Sequence, residues 1–189
     1  LYGRYGLDFV QHLRGEYAIA IVDGERDRLV LARDPFGVKP LFIATRSDGG
    51  LVAASEAKAL FALGISRRFD VASLSCALSF QYLAPGRSLF AGIEMLAPGH
   101  VLTIERGEAR QYLAHPRSLA EREQEQPAVS GAQPLARDAP GRTEASDAQW
   151  VKCLADSLED AVAVRLRADV PVALHLSGGL DSSSIAAIA

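Results

Sequence analysis

Apolar residues recur along the first 113 positions with spacings that change between helical and strand-like. Residues 5–13 carry apolar side chains at a helical spacing, and Gly15 ends that segment. Four short apolar runs bounded by turn-forming residues follow, at 17–22, 29–32, 41–44 and 51–54. The first two flank an Asp-Gly turn, which is a strong hairpin signal. The pattern therefore predicts an antiparallel meander of four strands.

Two helices and a last hairpin complete this half. Ser55 is placed to cap a helix over residues 56–63, and Gly64 would end it. A second helix is predicted over 70–83, before an Ala-Pro-Gly break. Two strands joined by a turn at 106–108 form the hairpin, with bounds 101–104 and 109–113.

The composition changes over residues 114–146. This stretch contains four of the nine prolines, many charged residues and few large apolar ones, so it predicts a flexible linker. A long helix then begins at Ser146 or Asp147 and runs to about residue 168. Its predicted apolar stripe consists of Val151, Leu154, Leu158, Ala161 and Leu166.

The last twenty residues carry the most chemistry. Residues 172–176 are mostly apolar and follow Pro171, which predicts a buried strand. Two glycines then form a turn, and a helix begins near Ser182. A strand, a glycine-rich turn and a helix N-terminus together predict an anion site, because the first N–H groups of a helix lack intrahelical partners.

The residues of this turn narrow the choice of anion. Neither a G-x-x-x-x-G-K-S/T loop nor a G-x-G-x-x-G fingerprint is present. The turn offers hydroxyl groups, backbone N–H groups and one carboxylate, Asp181. A carboxylate beside bound phosphates indicates a bridging cation, most simply Mg²⁺. The alternative is a structural turn in which a Ser or Asp side chain caps the helix.

Composition and charge exclude several classes of function. The 189-residue chain has a formal net charge of −3, which favours neither nucleic acid nor anionic membranes as partners. No signal peptide or transmembrane run is recognisable, so a cytoplasmic location is expected. Cys76 and Cys153 have no metal-ligand spacing and are predicted to be buried structural thiols.

Several strings resemble known families. The string SGGLDSS at 177–183 resembles the pyrophosphate loop of N-type ATP pyrophosphatases. Five upstream segments are similar to class II glutamine amidotransferase domains: 13–23, 32–42, 54–60, 82–85 and 96–100. Their order is that of the glutamine-dependent asparagine synthetases.

The resemblance implies an α+β fold followed by the start of an α/β domain. Residues 1–113 would be the C-terminal part of an amidotransferase sandwich of the N-terminal-nucleophile type. Residues 114–146 would be the flexible linker, and 147–189 would begin the parallel-sheet ATP pyrophosphatase domain.

The resemblance also implies a reaction, namely ATP-dependent amidation of aspartate through β-aspartyl-AMP, with ammonia from glutamine. ATP would bind through its pyrophosphate to Ser177, Gly178, Gly179, Leu180, Asp181, Ser182 and Ser183, and Asp181 would hold Mg²⁺. The glutaminase nucleophile of the family is an N-terminal Cys, which the resemblance would place upstream of residue 1. No catalytic residue is therefore assigned within this chain, which alone is expected to hydrolyse no glutamine.

Some interpretations stay open. Arg33, Asp34 and Lys39 either form a local Asp-Pro turn or contact the synthetase domain. His175 is either a hydrogen-bonded core residue or a neighbour of the nucleotide base, as its position in the resemblance implies. The rival functions are an adenylating cyclase of the β-lactam synthetase or lasso-peptide type, and a non-catalytic remnant. A homodimer is left open.

Overall fold

The computed structural model describes residues 1–114 and 147–189, and the linker predicted over 114–146 lies outside these residues except for Ala114. The chain divides into two compact units, Leu1–Val129 and Ser130–Ala189. Helices and antiparallel sheets are both present, which confirms the α+β class.

The first unit begins with two short helical segments, α1 (Tyr2–Tyr5) and a 3-10 helix (Gly6–His12). Its strands are β1 (Ala18–Asp23), β2 (Arg28–Arg33), β3 (Phe42–Thr45), β4 (Leu51–Ala54), β5 (Ile93–Met95), β6 (His100–Glu105) and β7 (Glu108–Leu113). Two helices lie between β4 and β5: α2 (Ala57–Ala62) and α3 (Val71–Phe80).

The strands form two sheets, with orders β1-β2-β6-β7 and β4-β3-β5. Both predicted hairpins are confirmed, but the four-strand meander is wrong. Strand β2 pairs with β6, far along the chain, so that Leu31 lies opposite Leu102. Local patterning cannot reveal this choice, because any apolar strand with the right face could pair with β2.

The two sheets pack face to face around one of three apolar clusters. Leu31 and Leu102 of the first sheet meet Leu41 and Leu96, with Ile43 of the second sheet packed against them. The opposite face of the first sheet is covered by Phe9 and Val10, among others, of the 3-10 helix. The opposite face of the second sheet receives Leu60 of α2. The unit is therefore a layered sandwich, since each sheet alternates its side chains between two apolar layers.

Three helix predictions need correction. Residues 5–13 form mostly a tight 3-10 helix, in which Phe9 and Val10 face the core. Glu56, and not Ser55, occupies the N-cap position of α2, and no side chain caps it. Helix α3 starts as expected, with Asp70 accepting a hydrogen bond from the Ser73 N–H, but it ends at Phe80 because Gln81 adopts the left-handed conformation.

The described part of the second unit consists of two helices, α4 (Asp147–Arg165) and α5 (Leu180–Ile188). Helix α4 is as long as predicted except for its last turn. Its buried residue is Val162, whereas Val151 and Leu154 of the predicted stripe are largely exposed.

Residues 172–176 form no strand, contrary to the prediction, and their side chains are exposed. The physical reason is that a strand needs a hydrogen-bonded neighbour, and residues 147–189 contain no other strand that could provide one. Among the described residues, no helix is long and apolar enough to cross a membrane.

Candidate functional site

The glycine-rich turn before α5 is ordered by its own hydroxyl groups. Gly178 has a φ of +82°, a conformation that glycine adopts without strain. The hydroxyl oxygens of Ser177 and Ser182 lie 2.9 Å apart. Ser177 Oγ also accepts a hydrogen bond from the Gly179 N–H at 3.4 Å, and Ser182 Oγ donates to the Gly179 carbonyl at 3.2 Å. The predicted seven-residue loop therefore closes on itself at the start of the helix.

The same turn presents hydrogen-bond donors and one carboxylate to solvent. Gly179 is the N-cap of α5, so Leu180, Asp181 and Ser182 lie in the first turn, where N–H groups have no intrahelical acceptor. Ser177, Gly178, Gly179, Leu180, Asp181 and Ser183 are all exposed, and Ser182 is half-buried. This end of the helix also attracts anions through the helix dipole.

The chemistry of these groups is suited to phosphate and a divalent cation together. Within residues 1–114 and 147–189, no three His, Cys, Asp or Glu side chains are arranged to hold a metal ion. Mg²⁺ is often held by one or two carboxylates, with substrate phosphate oxygens and water completing its shell. A single exposed Asp181 beside a turn rich in N–H and hydroxyl donors fits that mode of binding.

His175 lies two residues before the turn and is exposed to solvent. The interpretation of His175 as a hydrogen-bonded core residue is therefore wrong, because no strand forms around it. The interpretation of Cys76 and Cys153 as buried thiols is also wrong, since both are only half-buried. Cys76 Sγ lies 3.7 Å from the Tyr82 carbonyl oxygen, which is a weak structural contact.

The second candidate cluster surrounds Asp34 in the first unit. Asp34 is fully buried, and its carboxylate accepts hydrogen bonds from the N–H groups of Phe36, Val38 and Lys39 at 2.9–3.1 Å. The Asp34 carbonyl accepts two more, from Gly37 and Gly99. One side chain therefore sets the path of residues 35–39.

Arg33 fixes the same loop from the other side. Its guanidinium donates to the carbonyls of Lys39, Leu96 and Gly37 at 2.8, 2.7 and 2.6 Å. The Arg33 side chain is buried, so these carbonyls replace its hydration. This geometry supports the local structural interpretation of Arg33 and Asp34, and contact with another domain stays a prediction.

Burial and hydrogen bonding act in opposite directions on Asp34. Burial alone raises the pKa of this carboxyl, but the N–H groups of Lys39, Val38 and Phe36 stabilise the ionised form and bring the pKa below its ordinary value. The neighbouring Tyr17 has a pKa raised to about 12, first by burial and then by the negative charge of Asp34.

The tip of the loop carries exposed side chains. Phe36 is 87 % exposed and Val38 is 52 % exposed. Lys39, the third residue of the predicted interface, makes an ion pair with Glu16 at 3.5 Å. Arg33 and Asp34 are thus buried supports of the loop, whereas Lys39 and the two apolar residues face outwards.

Comparisons with known proteins match two separate parts of the chain to two families. The family described as glutamine amidotransferase domain matches residues 1–114, and the family described as asparagine synthase matches residues 153–189. The asparagine synthetase [glutamine-hydrolyzing] 1 of Bacillus subtilis is 31% identical over 188 residues, covering 100% of this chain and 26% of the relative. The chain belongs to the family of glutamine-dependent asparagine synthetases.

Other relatives carry different names. A putative asparagine synthetase [glutamine-hydrolyzing] of Mycobacterium tuberculosis is 35% identical over 195 residues, covering 100% of this chain and 27% of the relative. The protein named Amidase chyE of Penicillium rubens is 38% identical over 188 residues, covering 98% of this chain and 25% of the relative. The chain spans about a quarter of the length of these curated relatives.

Two features of this asparagine synthetase family member were missed at the sequence level. A Cβ at Gly37 would lie 2.6 Å from Pro98 Cγ and 3.0 Å from the Arg33 guanidinium, so the loop and the β5–β6 connection touch there. Glu16 pairs with Lys39 across the fold. The Pro-Phe-Gly sequence indicates a turn in which Gly37 can adopt its positive φ of +66°. Nothing in the neighbouring sequence indicates that Gly37 packs against Pro98.

Proposed function

We propose that the full-length protein is an ATP-dependent amide ligase that transfers ammonia from glutamine to the β-carboxylate of aspartate. The carboxylate attacks the α-phosphate of ATP, which forms β-aspartyl-AMP and releases pyrophosphate, and ammonia then displaces AMP to give asparagine. Membership of the asparagine synthetase family supports this proposal. The observation that carries it is the hydroxyl- and N–H-rich turn at the N-terminus of α5.

In this proposal the turn binds the pyrophosphate part of ATP. The first N–H groups of α5 and the hydroxyls of Ser177, Ser182 and Ser183 donate to phosphate oxygens. These N–H and O–H donors are in position before the reaction. They therefore stabilise the negative charge that develops on the departing pyrophosphate without having to move. The hydroxyl oxygens of Ser177 and Ser182 lie 2.9 Å apart. When ATP binds, the two hydroxyls would give up this hydrogen bond and donate to phosphate oxygens instead.

Asp181 has a separate role in the proposal. Its exposed carboxylate lies in the first turn of α5, where like charge would repel phosphate. Asp181 would hold Mg²⁺ there, and the ion would neutralise this repulsion and supply Lewis-acid stabilisation of the leaving group. His175 is placed on the chain segment that leads into the turn, where its side chain would face the nucleotide base.

The first unit contributes ammonia delivery and not phosphate chemistry. Its family match covers residues 1–114, and its described residues form the sandwich that supports a glutaminase centre in such domains. The nucleophilic Cys predicted by the resemblance has no counterpart at Cys76 or Cys153, which are both half-buried.

The decisive experiment measures AMP, pyrophosphate and asparagine formed by the full-length protein with ATP and Mg²⁺. Aspartate is supplied with glutamine, with ammonium, or alone. The proposal predicts aspartate-dependent AMP release and asparagine with either nitrogen source. Asp181→Ala is expected to lower kcat/KM by at least about 100-fold, because it removes a group that acts on the transition state.

Asp156→Ala is the matched control. Asp156 is an exposed carboxylate on α4, in the same unit but outside the turn, and its removal is expected to leave turnover unchanged. Activity with ammonium but not with glutamine would support the proposed ligase activity and contradict the proposed use of glutamine as the nitrogen source. No aspartate-dependent AMP with either nitrogen source would refute asparagine synthesis.

A second candidate is amidation of a different carboxylate by the same adenylation chemistry. It is motivated by the 38% identity to a relative whose name is not asparagine synthetase. The same assay with a panel of carboxylates in place of aspartate separates the two candidates. AMP release that needs a carboxylate bearing its own internal amine, with no added nitrogen source, would instead establish the cyclase alternative.

A further inference from the structure

The 3-10 helix of the first unit is fixed to the first sheet just before Gln11. The Tyr2 hydroxyl donates a hydrogen bond to Asp23 Oδ2 at 2.8 Å, and the Tyr2 ring packs edge-on against Phe9 with ring centres 5.8 Å apart. Phe9 and Val10 are buried in the apolar cluster on that face of the sheet. Because the helix cannot turn without exposing these side chains, Gln11 is held at one place on the unit.

Gln11 uses this position to hold Ala114, the residue at which the predicted linker begins. Gln11 Nε2 donates a hydrogen bond to the Ala114 carbonyl oxygen, although the two residues are 103 positions apart. The Ala114 side chain is buried in the same apolar cluster as Phe9 and Val10. Its N–H donates to the Gly99 carbonyl at 2.9 Å. Ala114 is therefore fixed through its side chain, its N–H and its carbonyl.

Gly99 connects Ala114 to the loop of residues 35–39. While its carbonyl accepts the Ala114 N–H, its own N–H donates to the Asp34 carbonyl at 2.8 Å. The Asp34 carboxylate in turn accepts the three backbone N–H groups that shape the loop. A continuous path of hydrogen bonds thus runs from Gln11 through Ala114, Gly99 and Asp34 to the loop.

The hydrogen bond between Gln11 and Ala114 is the part of this path that can open most easily. Gln11 is exposed to solvent, whereas Ala114 and Asp34 are buried. Water can take the place of a partner in an exposed hydrogen bond at little cost, but a buried group that loses its partner is left unsatisfied. Local opening is therefore expected to begin at Gln11 while the two sheets stay folded.

We propose that Gln11 is a latch that couples the start of the linker to the loop of residues 35–39. With the latch closed, Ala114 and Gly99 hold the loop rigid, and with the latch open the loop loosens. Coupling of this kind is reciprocal, so a contact that orders the exposed loop tip at Phe36 also favours the closed latch. The proposal rests on the first unit alone and does not depend on the proposed ligase activity.

The test is hydrogen exchange of the full-length protein, measured by mass spectrometry. Gln11→Glu keeps the size of the side chain but replaces the donating Nε2 with an oxygen that cannot donate when ionised. The peptide covering residues 34–40 and the Ala114 amide are expected to exchange about three- to tenfold faster than in the parent protein, because one hydrogen bond is lost. Peptides from β1 and β4 are expected to exchange as in the parent.

Gln111→Glu is the matched control. Gln111 is exposed and lies three residues before Ala114, so the same chemical change is made close to the latch without removing it. The loop peptide is expected to exchange as in the parent protein. Gln11→Ala removes the donor without adding a charge, and it is expected to loosen the loop as Gln11→Glu does.

Several results would overturn the proposal. One is a loop peptide that exchanges in both Gln11 variants at the rate of the Gln111→Glu control. Another is exchange that becomes faster by the same factor in β1, β4 and the loop, because this would give Gln11 only a general role in stability. Failure of both Gln11 variants to fold, measured by circular dichroism, would lead to the same conclusion.

Discussion

Asp34 shows how one buried carboxylate can organise a loop. Its two oxygens accept three backbone N–H groups, and its carbonyl accepts two more. Arg33, beside it, donates to three carbonyls of the same region. Both side chains are therefore satisfied by backbone groups, so their charges stabilise a conformation while being shielded from solvent.

Asp34→Asn is expected to destabilise the first unit by about 2–3 kcal/mol, because an amide NH₂ would face the Lys39 N–H that now donates to Oδ2. Urea unfolding monitored by far-UV circular dichroism measures the change in the free energy of unfolding. Asp48→Asn is the control, since exposed Asp48 also accepts one N–H but can be rehydrated, and about 0.5 kcal/mol or less is expected. Equal losses in both variants would contradict the role given to Asp34.

The stabilisation from Asp34 should also depend on pH. Its folded-state pKa is lowered, so its contribution is complete above the unfolded-state pKa of about 3.9 and is lost as pH falls through the folded-state value. The stability difference between the parent protein and Asp34→Asn is therefore expected to be constant from pH 7 to about pH 5 and to shrink below about pH 4. A stability difference that is undiminished at pH 2 would argue against a lowered pKa of Asp34 in the folded state.

Tyr17 gives a prediction on the alkaline side. Because its folded-state pKa is raised to about 12, folding favours the neutral phenol. This contribution is complete below the unfolded-state pKa of about 10 and is lost as pH rises towards 12. The pKa of Tyr112 is raised too, first by burial. Phenolate absorbance is therefore expected to lose one late-titrating tyrosine in Tyr17→Phe but none in Tyr82→Phe, the exposed control. Titration of Tyr17 with the bulk tyrosines would disprove its burial beside Asp34.

At the scale of elements, the loop after β2 and the connection from β5 to β6 form one structure. Arg33 reaches Leu96, the Gly99 N–H donates to the Asp34 carbonyl, and Gly37 lies against Pro98. The loop is thus held in place by residues about sixty positions away. Its exposed Phe36 and Val38 are presented on a rigid support.

Gly37→Ala is expected to cost more stability than Gly49→Ala. Both glycines have positive φ, +66° and +84°, so alanine strains the backbone at either position by about 1 kcal/mol. Only Gly37 adds a clash, since its Cβ would lie 2.6 Å from Pro98 Cγ, whereas nothing lies within 4 Å at Gly49. An extra loss of about 1–3 kcal/mol is expected in chemical denaturation. Equal costs at the two positions would show that the loop is not tightly packed.

At the scale of the whole molecule, the two units differ in how their backbones are paired. Strands β2 and β6 lie inside a four-stranded sheet with buried residues on both sides. Residues 171–177 have no regular secondary structure and are exposed. The difference decides which part of the chain resists local opening.

Hydrogen exchange of the 189-residue chain is expected to reflect this difference. Amides of β2 and β6 should exchange at least about 1,000-fold more slowly than unstructured peptide, and those of 172–176 should exchange nearly as fast as unstructured peptide. Mass spectrometry of peptides from both regions measures the rates. Helix α5 provides an internal comparison of intermediate protection. Strong protection of 172–176 would show that this segment pairs as a strand after all.

The amino-acid sequence by itself determined the features that depend on neighbours in the chain. The Asp-Gly hairpin, the Asp70 cap of α3 and the turn at 177–183 follow from local conformational preferences, and the family follows from ordered motifs. The tertiary structure alone decided that β2 pairs with β6, that Gly37 packs on Pro98, and that 172–176 forms no strand. Pairing and packing join residues that are distant in sequence, so their energies are set by which surfaces meet and not by local preference.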